Sequence, residues 1–370
     1  MVKIINNYLS KKFKVISFIA IIMVVYIHAY NLTDRFLQPF TTISNQMNFS
    51  SFFQYFISNG LTRIAVPLFF AISGYLFYHN LSANKNSFLA KYKSRAKTLL
   101  LPYLLCSVVS LLFLYLGQEF VALMGIEDFF IEATFVENLV RNFAVQDYIA
   151  KIFFSSAAYQ LWFIWDLMIY VILSPLIYYY LKRNSYLALI PFAIFWLFDL
   201  HLFINSEGIL FFMLGAFLAI KEINFQREFS KRKINIILIL WLLVLVLKTF
   251  LAYYDLHFVL LALHKIAIIL GFIGLWYGYD IYIGELRDNH RIFYLTSFTF
   301  FIFLFHVPLL DFLTDICLGL FGSSQFLSLA VYLLNPIFVM GLLIVVAELL
   351  RRYLTSVYSI VTGGRGVKKH

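Results

Sequence analysis

The chain has 370 residues, of which 62% are hydrophobic and 13% charged, with a mean hydropathy of +0.85. Soluble globular domains carry about 25% charged residues, so this composition excludes a soluble fold and leaves a membrane protein. The net charge of +10 does not point to nucleic acid, because the basic residues sit in short clusters between apolar runs, the positive-inside pattern of membrane loops.

Apolar runs long enough for helical spans recur from end to end, whereas tilted barrel strands would be about half that length and alternate in polarity. The expected fold is all-α: a polytopic bundle of about ten transmembrane helices, forming one domain over residues 1–370 with a basic tail from about residue 351. Lys3, Lys11, Lys12 and Lys14 mark the cytoplasmic side of a first span over 13–30. No small-residue cleavage site follows His28-Ala29-Tyr30, so this segment reads as an uncleaved anchor.

A second span over 60–78 returns to a cytoplasmic loop carrying Lys85, Lys91, Lys93, Arg95 and Lys97. The third, 98–116, opens into the longest polar connection, 117–154, expected outside and holding an amphipathic helix. Its acidic residues are Glu119, Glu127, Asp128, Glu132, Glu137 and Asp147. Further spans are expected over 157–181, 186–203, 208–220, 234–254, 258–277, 292–312 and 326–350, the hairpin between 254 and 258 turning through Asp255. Basic groups at Lys182-Arg183, around Lys221, Arg227 and Lys231, and at Arg351-Arg352 keep both termini cytoplasmic. The external loops hold only Arg35, Arg141 and Lys151. Cys106 and Cys317 fall inside spans and say nothing of a redox compartment. Neither an internal repeat nor a low-complexity tract is present.

Ionisable groups at membrane depth are costly and usually face a bundle interior or a wet cavity. At about 1.5 Å per residue, His28 lies about 21 Å beyond Lys14, His306 about 22 Å beyond Arg291 and Asp166 about 24 Å from Lys182. Lys248 falls at a similar depth, and Arg63 opens span two on the external side. Five such groups in one outer layer argue for a cavity. A plainer reading stands beside it: Arg63 and Asp166 form a structural ion pair, Lys248 snorkels outward, and the histidines are satisfied by backbone carbonyls. His264 and Lys265 cannot be placed by depth. Nothing matches a metal-binding HExxH or CxxC pattern or a phosphate-cradling glycine loop, so no metal is expected.

Six blocks carry a resemblance. They are 20–28 (AIIMVVYIH), Arg63 through Val66-Pro67, Phe69-Phe70 and Ser73-Gly74-Tyr75-Leu76, 95–103 ending Leu-Pro-Tyr, Leu161-Trp162-Phe163 through Ser174-Pro175-Leu176, 211–216 (FFMLGA), and 297–309 (SFTFFIFLFHVPL). In this order they resemble the acyltransferase type 3 family of integral membrane O-acyltransferases.

The resemblance implies transfer of an acyl group, usually acetyl, from cytoplasmic acetyl-CoA to a hydroxyl of an envelope polysaccharide or lipid-linked sugar. It places the protein in a bacterial cytoplasmic (inner) membrane, with membrane lipid around it and other glycan-assembly proteins as partners. His28 and Arg63 match the family's functional positions. A neutral His28 would take the proton from a sugar hydroxyl or act as a transient acyl carrier, and Arg63 would stabilise the thioester oxyanion or hold an acidic substrate. Lys91, Lys93, Arg95 and Lys97 would hold the CoA phosphates, although ordinary positive-inside charge explains them equally.

Two departures from the family pattern occur. Ser17 stands where an arginine is common, and Lys14, one turn below, is the substitute within reach. Gln160 replaces a histidine before Leu161-Trp162, while Asp166 occupies a usually neutral place. Asp166 and His306 are candidates to orient a histidine or bind substrate. Ser73 is a candidate nucleophile, but Ser73-Gly74 inside a span serves equally as a close helix contact. The competing function is a glycan export component without acyl transfer. A plain transporter is disfavoured by the lack of repeat-related broken helices.

Overall fold

The computed structural model describes residues 6–32, 38–44, 46–82, 84–123, 139–184, 186–200, 204–225, 229–322 and 324–366. Every regular element among them is helical. Lys3, Arg35, Glu127, Asp128, Glu132, Glu137 and Arg227 lie outside the described residues. Two compact units are distinguished, one formed by Met1–Tyr92 with Ile169–Thr296, the other by Lys93–Met168 with Ser297–His370.

The first unit opens with α1 (Asn7–His28), capped by the Asn6 side chain accepting from the Leu9 N–H at 2.7 Å. Helix α2 (Phe49–Tyr55) starts at an Asn48–Ser51 capping box and runs through a π turn, Phe56–Gly60, and a 3-10 turn, Leu61–Ile64, into α3 (Ala65–Tyr78). Pro67 in the first turn of α3 forfeits no hydrogen bond there, whereas in an uninterrupted α-helix its ring would press on the residue 63 carbonyl. The expected cytoplasmic loop is instead helical from α4 (Lys85–Arg95), which leads through a second π turn into α5 (Leu101–Leu123) of the second unit.

The connection after α5 contains the expected amphipathic helix, α6 (Val145–Phe153). Its Tyr148 and Ile152 pack on Leu111 and Leu114, while Val145, Ile149 and Phe153 are exposed. Helices α7 (Trp162–Ile172) and α8 (Ser174–Arg183) are bent by 63°, the bend falling just before Pro175. Helix α9 (Ile190–Leu197) is short, and α10 (Ser206–Ile220) is capped by Asn205 accepting from the Gly208 N–H at 2.8 Å.

Within the first unit, α3 and α10 cross at backbone contact through Gly74 and Gly215: a Cβ on Gly74 would lie 2.1 Å from the Phe212 carbonyl oxygen. The Ser73-Gly74 pair thus makes the close helix contact that small residues permit. Helices α11 (Lys231–Leu251) and α12 (His257–Tyr282) form the expected hairpin through Asp255. A short α13 (Ile292–Thr296) completes the unit.

In the second unit, α14 (Thr299–Phe321) packs on α5 and on α15 (Gln325–Tyr353). Pro308 interrupts α14, and Val307 leaves helical geometry. The basic tail is folded back rather than free. After α16 (Thr355–Val361), Arg365 donates to the Thr98 carbonyl at 2.6 Å and lies 4.0 Å from the Phe300 ring centroid.

Among the described residues, six helices are long and apolar enough to cross a membrane: Phe49–Tyr78, Lys85–Phe120, Lys231–Leu251, His257–Tyr282, Thr299–Phe321 and Gln325–Tyr353, with the bent pair as a seventh if counted as one span. The other expected spans are helical but fall short for identifiable reasons. Three lysines, Lys11, Lys12 and Lys14, occupy the first turns of α1. The α10 helix has 15 residues and α9 only 8, against about 20 needed for a bilayer core. The protein is a multi-pass membrane protein.

Candidate functional site

Arg63 sits in the 3-10 turn and folds back on the π turn before it. Its Nε donates to the Ser58 carbonyl at 3.0 Å and its Nη2 donates to the Asn59 side-chain oxygen. These bonds engage two of the five guanidinium N–H groups. The half-buried side chain therefore keeps donors for a negatively charged partner.

The turn itself is held from three directions. Thr62 Oγ1 donates to the carbonyls of Ile57 (2.8 Å) and Ser58 (3.0 Å), Ser58 Oγ donates to the Tyr26 carbonyl of α1 (2.6 Å), and Lys248 Nζ of α11 donates to the Asn59 carbonyl (2.6 Å). His28, half-buried, is the last residue of α1, two residues beyond Tyr26. On one side of it lies the Tyr26–Ser58 bond. On the other, Gln54 accepts from the Asn31 N–H at 3.1 Å and donates to the Asn31 side chain at 2.9 Å. Tyr30, wholly buried two residues on, lies within electrostatic range of Arg63.

Around this turn the first unit buries charges that the sequence did not place. Lys248 is 0% exposed, which overturns its reading as a snorkelling surface group. Its ammonium also lies 3.5 Å from His264 Nδ1 and 5.6 Å from the Tyr55 ring centroid. Lys265, likewise buried, is 3.3 Å from an Asp199 carboxylate oxygen and 5.0 Å from the Trp196 ring centroid. Trp196 in turn donates its indole N–H to Glu207 at 3.0 Å. Glu207 interacts electrostatically with Arg63, Lys248 and Lys265. Three basic side chains and two carboxylates thus share one region, which borders the buried cluster of Tyr30, Phe40, Ile43 and Tyr55.

Among the described residues of the first unit, two cavities bear on the site. A polar one of about 730 Å³ is lined by residues including Tyr78, His79, Asn80, Ser82, Tyr178 and Glu222. An apolar one of about 390 Å³ runs between α3, α10 and α12 and shares Tyr75 and Leu218 with the first. Trp196 lines the apolar cavity and, on the far side, carries the Lys265 and Glu207 contacts. The polar cavity, here called the mouth, and the apolar one, the gallery, thus share two lining residues, and Trp196 joins the gallery lining to the charged residues. Lys182 lies 5.5 Å from the ring of Tyr178, which lines the mouth, and Lys221 donates to the Lys182 carbonyl at 3.0 Å. The sequence had counted both as ordinary loop charge.

Of the other expected site residues, Ser73 is half-buried on α3 between Ile72 and Gly74, and Lys14 is exposed on α1. Lys11 and Lys12 of α1 are the buried ones, and Lys12 bonds Asp280 at 2.8 Å and lies 4.1 Å from the Trp276 ring centroid. Lys91 belongs to the first unit, 5.5 Å from the Phe77 ring centroid, whereas Lys93, Arg95 and Lys97 belong to the second. Asp166 and His306 also belong to the second unit, both buried. Nδ1 of His306 lies 3.0 Å from the carbonyls of Ile302 and Phe303, the backbone satisfaction of the plainer reading. Gln160 donates to the carbonyls of Leu304 (2.9 Å) and Val307 (3.2 Å), acceptors at the α14 interruption. Among the described residues no cluster of His, Cys, Asp and Glu could hold a metal ion.

A family described as acyltransferase domain, acyltransferase 3, matches residues 13–350. The succinoglycan biosynthesis protein ExoH of Rhizobium meliloti (strain 1021) is 26% identical over 323 residues, which cover 85% of this chain and 83% of that protein. No solved structure gives a significant match. The matched region contains α1 with His28, the interrupted helix with Arg63 and both cavity-lining helices, and on this evidence the chain belongs to the acyltransferase 3 family.

Proposed function

We propose that this acyltransferase is a membrane O-acetyltransferase that moves an acetyl group from cytoplasmic acetyl-CoA to a hydroxyl of an envelope polysaccharide or its lipid-linked precursor. The observation that supports the reading is Arg63, fixed on an interrupted turn with N–H groups to spare, whose Ser58 bonds the Tyr26 carbonyl two residues before His28. A relative similar to this chain is named for succinoglycan biosynthesis, which favours a glycan acceptor. The proposed setting is a bacterial cytoplasmic membrane, with ten crossings and both termini inside, as the distribution of lysine and arginine requires.

In the proposed reaction the acceptor hydroxyl gives its proton to the His28 imidazole as its oxygen attacks the thioester carbonyl. The carbonyl π electrons move onto oxygen, and the uncommitted Arg63 N–H groups hold that oxyanion in a poorly hydrated site, where fixed donors are most effective. Collapse breaks the C–S bond, and the departing CoA sulfur takes the proton from the imidazolium. Net, an O–C bond replaces an S–C bond and one proton passes from oxygen to sulfur. No metal is called for.

The polar mouth and apolar gallery fit the donor's division into a charged nucleotide end and a long arm. Lys182 and Lys221 join Lys91 as first-unit cations for its phosphates. Lys93, Arg95, Lys97, Asp166, His306, Ser73 and Lys14 are assigned no step.

The test is His28→Ala with mass spectrometry of the envelope glycan. Loss of O-acetyl groups from a polymer made and displayed in normal amount supports the reading. Loss of surface polymer with its acetylation unchanged would favour export.

A further inference from the structure

We infer that Lys248 is a positioning residue for acyl transfer, holding the Asn59 turn so that the Arg63 guanidinium faces the reacting carbonyl. This rests on the proposed role of Arg63.

The starting point is an expense without an evident structural return. An ammonium with no exposed surface loses several kcal/mol of hydration, and Lys248 recovers none of it from an ion pair, since its bonds go to a backbone carbonyl and a histidine ring. Arg63 and Lys265 lie within electrostatic range and add repulsion, which Glu207, outside ion-pair distance, offsets in part. A methionine or leucine would fill the same place in α11 at lower cost, yet this helix carries lysine where it meets the π turn.

Geometry shows what the ammonium does there. The Asn59 carbonyl accepts from Lys248 at 2.6 Å, while the Asn59 side chain accepts from Arg63. One residue is thus gripped through its backbone by α11 and grips the guanidinium through its side chain. Ser58, the neighbouring residue, receives Arg63 Nε on its carbonyl and is itself tied to α1 through the Tyr26 carbonyl. Gly60 follows with backbone angles of φ −112° and ψ −89°, away from helical values. A Cβ on Gly60 would lie 3.3 Å from Leu245, one turn before Lys248, so the glycine also permits α11 to come this close. Arg63 therefore has no direction independent of residues 58 and 59, and Lys248 is the tie to those residues from outside the α1 contact.

His264 completes the arrangement. Its Nδ1 lies 3.5 Å from the Lys248 nitrogen, so the ring flanks the group that holds the turn.

The assay uses membrane vesicles from cells expressing the full chain, which retain the cell's own acceptor, supplied with acetyl-CoA. Initial rates of thiol release give kcat and KM for the donor. Lys248→Met is expected to lower kcat at least 30-fold with KM changed less than threefold, at an unchanged amount of protein in the membrane. Lys248→Arg, which keeps a donor, recovers part of the rate. In an Arg63→Lys background, Lys248→Met produces no further loss, because the group it positions is already gone.

A general packing role would instead lower both activities by the same factor in both backgrounds, and that result overturns the inference. If Lys248→Met fails to accumulate, Asn59→Ala carries the test: it keeps Lys248 but removes the Arg63 contact, and wild-type kcat in that variant overturns the relay. Wild-type vesicles that release no thiol overturn the acyl-transfer reading and this inference with it. Active wild-type vesicles with unimpaired Lys248 and Asn59 variants overturn this inference alone.

Discussion

Replacing Gly215 by alanine tests the crossing that builds the apolar gallery. A Cβ at this position would lie 1.9 Å from the Ala71 carbonyl oxygen and 2.8 Å from the Tyr75 nitrogen, both backbone atoms of α3. Ordinary contact begins at 3.4 Å, so the helices must part by about 1.5 Å, the difference between 3.4 and 1.9. No side chain can rotate away to absorb this. Over-packing of a core costs about 1–3 kcal/mol, and a backbone obstacle belongs at the upper end. Alanine returns at most about 1 kcal/mol of helix propensity, leaving a net loss of about 2 kcal/mol. For a chain of this size that is a fall of about 3 °C in the thermal midpoint, from an unfolding entropy of about 2.1 cal/mol/K per residue.

The control is Gly341→Ala in α15, where the new methyl meets nothing within 4 Å and the midpoint should hold or rise. Both are read by thermal unfolding of the detergent-solubilised protein. A Gly215→Ala midpoint equal to that of Gly341→Ala would refute the close-contact reasoning. If the crossing opens as described, KM for acetyl-CoA should rise too, since Leu214, Gly215 and Leu218 all line the gallery.

Lys12→Met leaves Asp280 without its ammonium on a side chain that keeps 29% exposure. The loss should fall between the values for buried and exposed pairs, about 2 kcal/mol, and Asp280→Asn in the same chain should restore part of it in chemical denaturation. Gln160→Leu takes a donor from the Val307 carbonyl at the α14 interruption, while Leu304 keeps its bond from Cys106, and should cost about 1–3 kcal/mol, read by the same unfolding assay. The Asp288 carboxylate is held below its ordinary value of 3.8 by its hydrogen bond from Lys11. A depressed acid contributes stability above its unfolded pKa and loses it as pH falls through the folded one. Asp288→Asn should therefore leave the midpoint near pH 6 slightly lower and reduce its further fall toward pH 3.

Much of this architecture was legible because helical periodicity and small residues report directly on packing. The α11–α12 hairpin through Asp255 and the Ser73-Gly74 contact both followed from the sequence. Lys248 was misread because depth along a helix says nothing about which face a residue occupies. The missed signal was rotational: Trp241, Leu245, Lys248 and Thr249, at spacings of four, three and one, are buried together on α11. His264 carried a parallel signal. It heads a run of Ala267, Gly271, Gly274 and Gly278 at alternating steps of three and four, and all five face the interior. Gly271 meets Trp241 of α11, where a Cβ would lie 2.7 Å from the indole. A polar residue at the head of a small-residue stripe is thus carried to the helix contact. By contrast, the folded-back Arg365 could not be foreseen, because its acceptor, the Thr98 carbonyl, is a backbone group that no sequence pattern marks.

The interrupted helix and the buried cations require each other. Were residues 56–64 regular α-helix, the carbonyls of Ser58 and Asn59 would be committed to the N–H groups four residues on, and neither Arg63 nor Lys248 would find its present acceptor. Conversely, a π and 3-10 interruption inside a bundle exposes carbonyls that are expensive to leave unpaired in a membrane. Here the Ser58 carbonyl receives Thr62 and Arg63, and the Asn59 carbonyl receives Lys248. A break that would be a defect in a plain span therefore becomes a rigid mount for a guanidinium, and its rigidity comes from groups on three separate stretches of chain. Transition-state stabilisation by a fixed donor depends on the donor not reorganising as charge develops. A cation bound to its own turn, with that turn bound to α1 and α11, meets this requirement better than an arginine extended from an unbroken helix.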